Sequence, residues 1–377
     1  MAEAKKRQLG DLIPLDGSQP KEVTELIERS DPLAHCYDWS MRRLGTVLLI
    51  AVLAPIGLLA WLLLAPGSNA EPQPFLVNRG EHLVTVAQRL ESQGLIKSPL
   101  GFKLLARLRR LDRNLRPGRR ELPAYASTWN VLEALRKKPV PARVAVPEGR
   151  TCWDIAEILD KAKLTDSLTF ANLCEDAVLA KKLHLPTSRL EGYLFPDTYL
   201  FDGSESPSEI AATMTRHFRE VWNGMDTASS PSFRELGPIG VLTLASIVER
   251  EAAARSESPL IAGVFYKRLQ IGMTLGADPT VRYALRKFTG GLTVTDLAVE
   301  SPYNTRKFQG LPPGPISNPG KDALRAALHP DTNKGYLYFV AKDDGSRQHD
   351  FASDYNVFLR SKHEAAKKRA VSGQQAP

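Results

Sequence analysis

Cysteine is scarce in this chain, with three residues in 377, at positions 36, 152 and 174. So few exclude a disulfide scaffold; Cys36 lies on the other side of the uncharged run Leu44–Ala65, which leaves Cys152 and Cys174 as the one pair that could oxidise, and both read as reduced thiols on helices. The seven histidines show no metal-ligand spacing and none lies beside a pair of cysteines, so the sequence calls for no metal and no cofactor. Aromatic residues are absent from the densest basic stretch, where seven arginines fall between Arg107 and Arg120. A basic run without stacking partners argues against nucleic acid and leaves anionic lipid headgroups, an acidic polymer or a solvated helix face. Long low-complexity tracts are also missing, and 43% hydrophobic and 24% charged content is that of a folded protein.

Charge is missing altogether from Leu44 to Ala65. A helix of that length spans about 33 Å, close to the hydrocarbon thickness of a bilayer. The expectation is a single transmembrane helix over residues 44–66, in which Pro55 and Gly57 are tolerated. Arg42 and Arg43 precede it and the next basic residue is Arg79, which places the N-terminal tail, residues 1–43, in the cytoplasm and the rest outside. A cleaved signal peptide ending near Ser68 and Ala70 is the competing reading, disfavoured by the long polar tail before the apolar run. The first 70 residues hold 7 basic and 8 acidic side chains, which leaves 43 against 34 on the remainder, so the overall +8 belongs to the expected extracytoplasmic part. Within the tail, Lys21 to Arg29 reads as a short amphipathic helix.

Beyond the apolar run an α+β pattern begins. A strand over Phe75–Asn78, a turn at Gly80 and a helix over 81–93 recur 69 residues later as a strand over Arg143–Val146, a turn at Glu148-Gly149 and a helix capped by Thr151. Leu83, Val86, Ala87, Leu90 and Leu95 match Cys152, Ile155, Ala156, Leu159 and Leu164. Helices over Phe102–Leu111 and Thr128–Lys137, with a loop and strand over Leu115–Ala124, close a first module over residues 71–141. A larger α+β region covers 142–362 and ends in a hairpin, Gly335–Ala341 and Ser346–Phe351, after which 363–377 reads as a disordered tail.

Glu251 is the candidate for chemistry. It ends the apolar helix Ile239–Val248, and at about 100° per residue it shares a stripe with Leu244, Ile247 and Val248, while Glu249 points nearly the opposite way. A carboxyl group beside hydrocarbon stays protonated nearer to neutral pH, as a proton donor to a glycosidic oxygen requires. The plainer reading is a helix-end glutamate turned to water. Four blocks accompany it: Leu190–Tyr199, Ala245–Ala252, Leu275–Tyr283 and Tyr303–Gly320. The last holds four prolines and three glycines from Gly310 onward and must be a stiff, shaped loop able to wall a groove. Tyr193, Phe195, Tyr199 and Tyr303 suit a sugar site or, equally, a core. Asp278 is a candidate to stabilise oxocarbenium-like charge or to cap the helix starting at Pro279-Thr280, and Asp197 to hold a turn.

These four blocks, in this order, resemble the endolytic murein transglycosylase family (MltG or YceG-like), across about residues 142–362; residues 71–141 resemble the LysM-like module that accompanies it. The resemblance implies a lyase that cuts the β-1,4 bond between N-acetylmuramic acid and N-acetylglucosamine in nascent peptidoglycan and leaves 1,6-anhydro ends. It places the catalytic acid at Glu251, the second glutamate of the motif Ser246-Ile-Val-Glu-Arg-Glu251, with Glu249 and Glu191 as supporting residues. Tyr193, Asp197, Asp278, Tyr303, Asn304 and His349 become candidate substrate contacts, although a surface imidazole without a role is the plainer reading of His349. Gly276 departs from the glutamine common in the family. Penicillin-binding proteins are expected neighbours by resemblance only. A hydrolase using Glu251 with Asp278, and a non-catalytic peptidoglycan-binding scaffold, stay open as alternatives.

Overall fold

The computed structural model describes residues 32–64, 67–68, 71–111, 115–342 and 344–372. The short helix expected over 21–29 lies outside them. In chain order the elements are α1 Pro32–Leu64, β1 Gln73–Val77, α2 Leu83–Ser92, α3 Pro99–Leu108, β2 Gly118–Leu122, α4 Thr128–Arg136, β3 Ala142–Ala145 and α5 Cys152–Lys161. There follow α6 Ser167–Cys174, α7 Ala177–Lys182, β4 Thr198–Phe201, α8 Pro207–Asn223, α9 Pro231–Glu251 and α10 Ser258–Gln270. The chain closes with α11 Asp278–Leu285, α12 Val294–Leu297, α13 Lys321–Leu328, β5 Tyr338–Ala341, β6 His349–Ala352 and α14 Tyr355–Ser372. The fold is α+β: the described strands form three separate antiparallel pairs, β1 with β2, β3 with β4 and β5 with β6.

Contacts divide the chain into two compact units. The first comprises residues 1–71, 87–110 and 123–133, and the second 72–86, 111–122 and 134–377. In the first, α1 packs against α3, and Arg109 stacks over Trp129 at 4.6 Å while its guanidinium holds Glu133 at 2.9 Å. Along α1 the apolar side chains from Leu44 to Ile56 are 53–62% exposed. Among the described residues no helix is long and apolar enough to cross a membrane.

The second unit holds two apolar clusters. One joins β3, β4 and helices α5 to α8 through Val144, Ile155, Leu159, Phe170, Phe201 and Met214. It forms because α5 carries its apolar residues at helical spacing and starts from a capping box: Thr151 accepts from the Asp154 amide, whose carboxylate accepts in turn from the Thr151 amide at 2.9 Å. The expected strand at Arg143–Val146 is β3. Its partner β4 was not foreseen, because four residues inside a motif-rich block carry too little alternation to signal a strand. The other cluster centres on α9, packed by α10 and α13. The expected hairpin is the β5–β6 pair, with Ala341 opposite His349. Helix α14 continues to Ser372, into the stretch expected to be disordered, since His363-Glu-Ala-Ala-Lys-Lys-Arg369 is built of helix formers. Arg120, counted among the surface arginines by sequence, is instead 2% exposed and donates to the Gly118 carbonyl at 2.7 Å.

Candidate active site

Helix α9 begins with Ser230 accepting from the Phe233 amide and Pro231 in the first turn. At Gly237 the backbone turns to φ 65°, a left-handed value that glycine adopts without a Cβ clash, and Pro238 then restarts the helix. From Val241 to Val248 every residue is at most 1% exposed. The stripe of Leu244, Ile247 and Val248 is therefore buried as expected, and Glu251 continues it as the last helical residue. There the carboxyl group is half-buried.

Burial pushes the Glu251 carboxyl up to about 7, Asp278 opposes its charge further, and Arg306, Arg268 and Arg250 pull the other way. Among the described residues Glu251 makes no hydrogen bond or ion pair. Glu249 differs. Its Oε2 accepts from the Gly320 amide at 2.9 Å, and burial raises its carboxyl as well. That bond ties the stiff loop to α9, as do the Ile316 amide donating to Ser246 Oγ at 3.0 Å and Ser317 Oγ donating to the Ser246 carbonyl at 3.1 Å. Of the two glutamates, one is occupied in structure and the other is free to move a proton.

The charges around Glu251 come from three other segments. Helix α10 supplies Arg268, whose Nε donates to the Leu337 carbonyl at 2.7 Å, whose Nη1 donates to the Leu275 carbonyl, and whose guanidinium stands 5.5 Å from the Tyr338 ring. Helix α11 supplies Asp278, and the loop after α12 supplies Arg306, whose Nε donates to Asp278 Oδ1 at 2.5 Å. Asp278 does not cap α11: the capping position is Ala277, and no side chain caps it. Its carboxylate is held instead by Arg306 and exposed for about half its surface.

A second buried acid lies in the same unit. Glu191 is 5% exposed, and burial pushes its carboxyl up to about 8. Its oxygens accept from the Cys152 amide at 3.2 Å, from Asn318 Nδ2 at 2.9 Å and from the Tyr283 hydroxyl at 3.3 Å. Asn318 also accepts from the Leu194 amide at 2.9 Å and donates to the Arg150 carbonyl at 2.9 Å. Together they join the start of α5, the block around Leu194 and the stiff loop into one polar hub.

A sequence profile of the YceG-like family matches residues 75–364. The chain belongs to the YceG-like family. It is 37% identical over 227 residues to a protein of Bacillus subtilis (strain 168) named endolytic murein transglycosylase, covering 59% of this chain and 61% of that one. A protein of the same name from Streptococcus pneumoniae serotype 2 is 30% identical over 302 residues, covering 70% of this chain and 53% of the other. The chain thus spans about half to three-fifths of the length of these relatives. The crystal structure of a putative yceG-like protein, lmo1499 from Listeria monocytogenes, superimposes with a TM-score of 0.53 at 29% identity over 77% of this chain and 99% of that one.

The remaining candidate residues of this YceG-like chain fall in several places. Asp197 accepts from the Thr198 amide at 2.6 Å, where the chain enters β4, and pairs with His217 Nε2 at 2.7 Å. Tyr193 is 4% exposed, packs edge-on to Phe218 at 5.2 Å and lines a small cavity with Trp222, Pro238 and Leu242. Phe195 and Tyr199 are also buried, against His217 and Phe201. Tyr303 is half-buried and packs 5.0 Å from Tyr283, above the Glu191 hub. Asn304 is fully buried, its Nδ2 donating to the Leu297 and Val299 carbonyls at 3.0 and 2.9 Å. His349 is buried rather than on the surface, with Nδ1 2.8 Å from Glu257 and its ring edge-on to Phe339. Cys152 and Cys174 are both buried free thiols. Arg268, Arg306 and Glu257 were not singled out by sequence; Arg306 lay within a quoted block, whereas nothing along the chain sets Arg268 apart from other helical arginines.

Proposed function

We propose that this chain is an endolytic peptidoglycan lytic transglycosylase, cutting the β-1,4 bond between N-acetylmuramic acid and N-acetylglucosamine and leaving 1,6-anhydro-muramyl ends. The observation that carries the reading is Glu251: a half-buried carboxyl at the end of an apolar helix, held near 7 by burial and free of hydrogen bonds. In the first step its proton passes to the glycosidic oxygen as the bond from that oxygen to muramyl C1 breaks. In the second, the Glu251 carboxylate takes the proton of the muramyl 6-hydroxyl while O6 bonds to C1. The acid is restored and no water is consumed. The names carried by the Bacillus and Streptococcus relatives support the reaction class, and the family resemblance points to Glu251 as the motif's second glutamate.

Asp278 stands close enough to act on Glu251, which favours a second reading, a hydrolase with Asp278 as base or nucleophile. Its pairing to Arg306 weakens it in either role. Mass spectrometry of the products from the full chain separates the two. Anhydro ends support the lyase, and a gain of one water per cut would overturn it.

The reading extends to location. The uncharged run Leu44–Ala65, the arginines before it and the exposed apolar faces of α1 support a single-pass anchor in the cytoplasmic membrane, with the tail inside and residues after 66 outside. Residues 71–141 would then be a LysM-like module between membrane and catalytic region, and nascent strands beside penicillin-binding proteins the substrate. A long flexible insert between residues 70 and 75 is expected to lengthen glycan strands in cells while activity on solubilised glycan stays the same.

A further inference from the structure

The segment Asn304-Thr305-Arg306 is more heavily anchored than a surface loop requires. Asn304 grips the Leu297 and Val299 carbonyls with its amide nitrogen and accepts the Arg306 amide on Oδ1 at 3.1 Å. Thr305 accepts from the Gly276 amide at 2.9 Å and the Ala277 amide at 3.1 Å, and its hydroxyl meets that of Thr280 at 2.8 Å. Both Asn304 and Thr305 are at most 1% exposed. This buried framework bolts the loop to the start of α11, directly behind Asp278. What it holds in place is a single pair, Arg306 Nε on Asp278 Oδ1, whose side chains are 41% and 49% exposed. An ion pair that open to water contributes little to stability. The framework therefore makes most sense as a means of fixing where two opposite charges stand relative to a neighbour.

That neighbour is Glu251, the last residue of α9, a helix that packs against both α10 and α11. The charged groups that face it are Asp278 from α11, Arg306 from the loop, Arg268 from α10 and Arg250 from its own helix. On α13, Asp322 acts on Glu249. Arg268 is committed to two backbone carbonyls and a ring, and Arg250 donates to the Gly149 carbonyl at 3.2 Å. Among the described residues the side chains of Asp278 and Arg306 hold only each other, so this is the pair whose balance the site can set.

We propose that Asp278 and Arg306 are positioning residues, a clamped charge couple that sets the protonation of the acid Glu251 and with it the upper pH limit of catalysis. The inference rests on the transglycosylase reading for its kinetic consequence, but not for the titration itself. Asp278 disfavours the Glu251 carboxylate and keeps the acid loaded. Arg306 favours the carboxylate and lets the proton leave. A general acid works only while protonated, so activity falls as pH rises through its pKa. Removing Asp278 leaves Arg306 unopposed and moves that fall to lower pH, whereas removing Arg306 leaves Asp278 bare and moves it to higher pH.

The test is a carbon-detected NMR titration of the glutamate carboxyls in the full chain, with Glu251 assigned from the spectrum of Glu251→Gln, alongside the pH profile of glycan cleavage. Asp278→Asn is expected to lower the Glu251 midpoint by about one unit and Arg306→Gln to raise it by about as much, with the double variant back near the parent. Parental thermal midpoints are expected in these charge-removing single variants, with Asp278→Ser or Arg306→Met in place of one that fails to fold, while Arg306→Lys is a separate control that keeps the charge and should keep the Glu251 midpoint. Single-variant midpoints that stay with the parent, or that move in the same direction, overturn the couple. If the titration moves as expected and the chain cuts no glycan, the couple stands and the transglycosylase reading falls.

Discussion

Two buried acids in one unit meet the same solvent and have become opposites. Burial lifts Glu191 to about 8 and Glu251 to about 7, so by protonation alone either is a candidate proton donor. Glu191 is held by three hydrogen-bond donors, the Cys152 amide, Asn318 Nδ2 and the Tyr283 hydroxyl, whereas Glu251 has charges around it that its side chain does not bond and is open to solvent on one side. A raised pKa therefore marks burial, and the absence of partners marks the acid that can give its proton away. The comparison breaks first if the wrong acid proves essential. Glu251→Gln is expected to lower glycan cleavage by 10²–10⁴-fold with a parental melting curve, while Glu191→Gln, an isostere of the protonated acid, retains most activity.

The second way to break it is through stability. Truncating Glu191 to alanine strands the Cys152 amide and Asn318 Nδ2 in the interior, at about 1–3 kcal/mol for each lost partner, whereas Glu251→Ala strands nothing. Because the folded Glu191 binds its proton more tightly than an unfolded glutamate, the folded state holds more protons between about pH 4.5 and 8. Stability should be highest at the acid end of that window and decline by up to roughly 1.4 kcal/mol per pH unit as Glu191 is forced towards ionisation. Denaturant unfolding at several pH values reads the slope, to which Glu251 adds its own share up to about pH 7, and Glu191→Gln should remove the part that persists between about pH 7 and 8.

The sequence discloses Glu251 but not its surroundings, for a physical reason. Helical periodicity is local, so Leu244, Ile247, Val248 and Glu251 declare a shared face from spacing alone, as do the apolar positions of α2 and α5. The pairing of β3 with β4, the grip of Asn318 on Glu191 and the approach of Arg268 and Arg306 to Glu251 are tertiary facts between segments far apart in the chain. Residue type misleads there too. Asn304 reads as a polar substrate contact and is buried in service of two carbonyls, and His349 reads as exposed and sits against Glu257.

A finer contrast lies between neighbours on α9. Glu249 uses one oxygen to accept from Gly320, which glutamine reproduces with its carbonyl and alanine does not. Glu249→Gln is expected to keep activity within about tenfold of the parent, and Glu249→Ala to lose up to about 1–3 kcal/mol of stability as the Gly320 amide is left without its partner. A loss with Glu249→Gln as deep as with Glu251→Gln would reverse the assignment of the acid.

The smallest expected effect concerns Gly276, which stands where the family resemblance implies a glutamine. Its φ is +64°, and its amide donates to the Thr305 carbonyl, so the residue helps hold the segment that carries Arg306. A Cβ at this position would lie 3.5 Å from Arg268 Nη1, an ordinary contact, so space does not forbid a side chain. The backbone does resist it, because a left-handed φ costs an ordinary residue about 1–2 kcal/mol. Gly276→Gln should therefore lower the unfolding free energy by that amount and leave the Glu191 slope untouched, since the amide of residue 276 is bonded to Thr305 and not to the hub. It should also shift the pH limit set by Glu251 slightly, because the added amide lies beside Arg268, one of the three cations that favour its ionised form. A variant more stable than the parent would mean that the left-handed turn relaxes without cost, and that glycine there serves some purpose other than the turn.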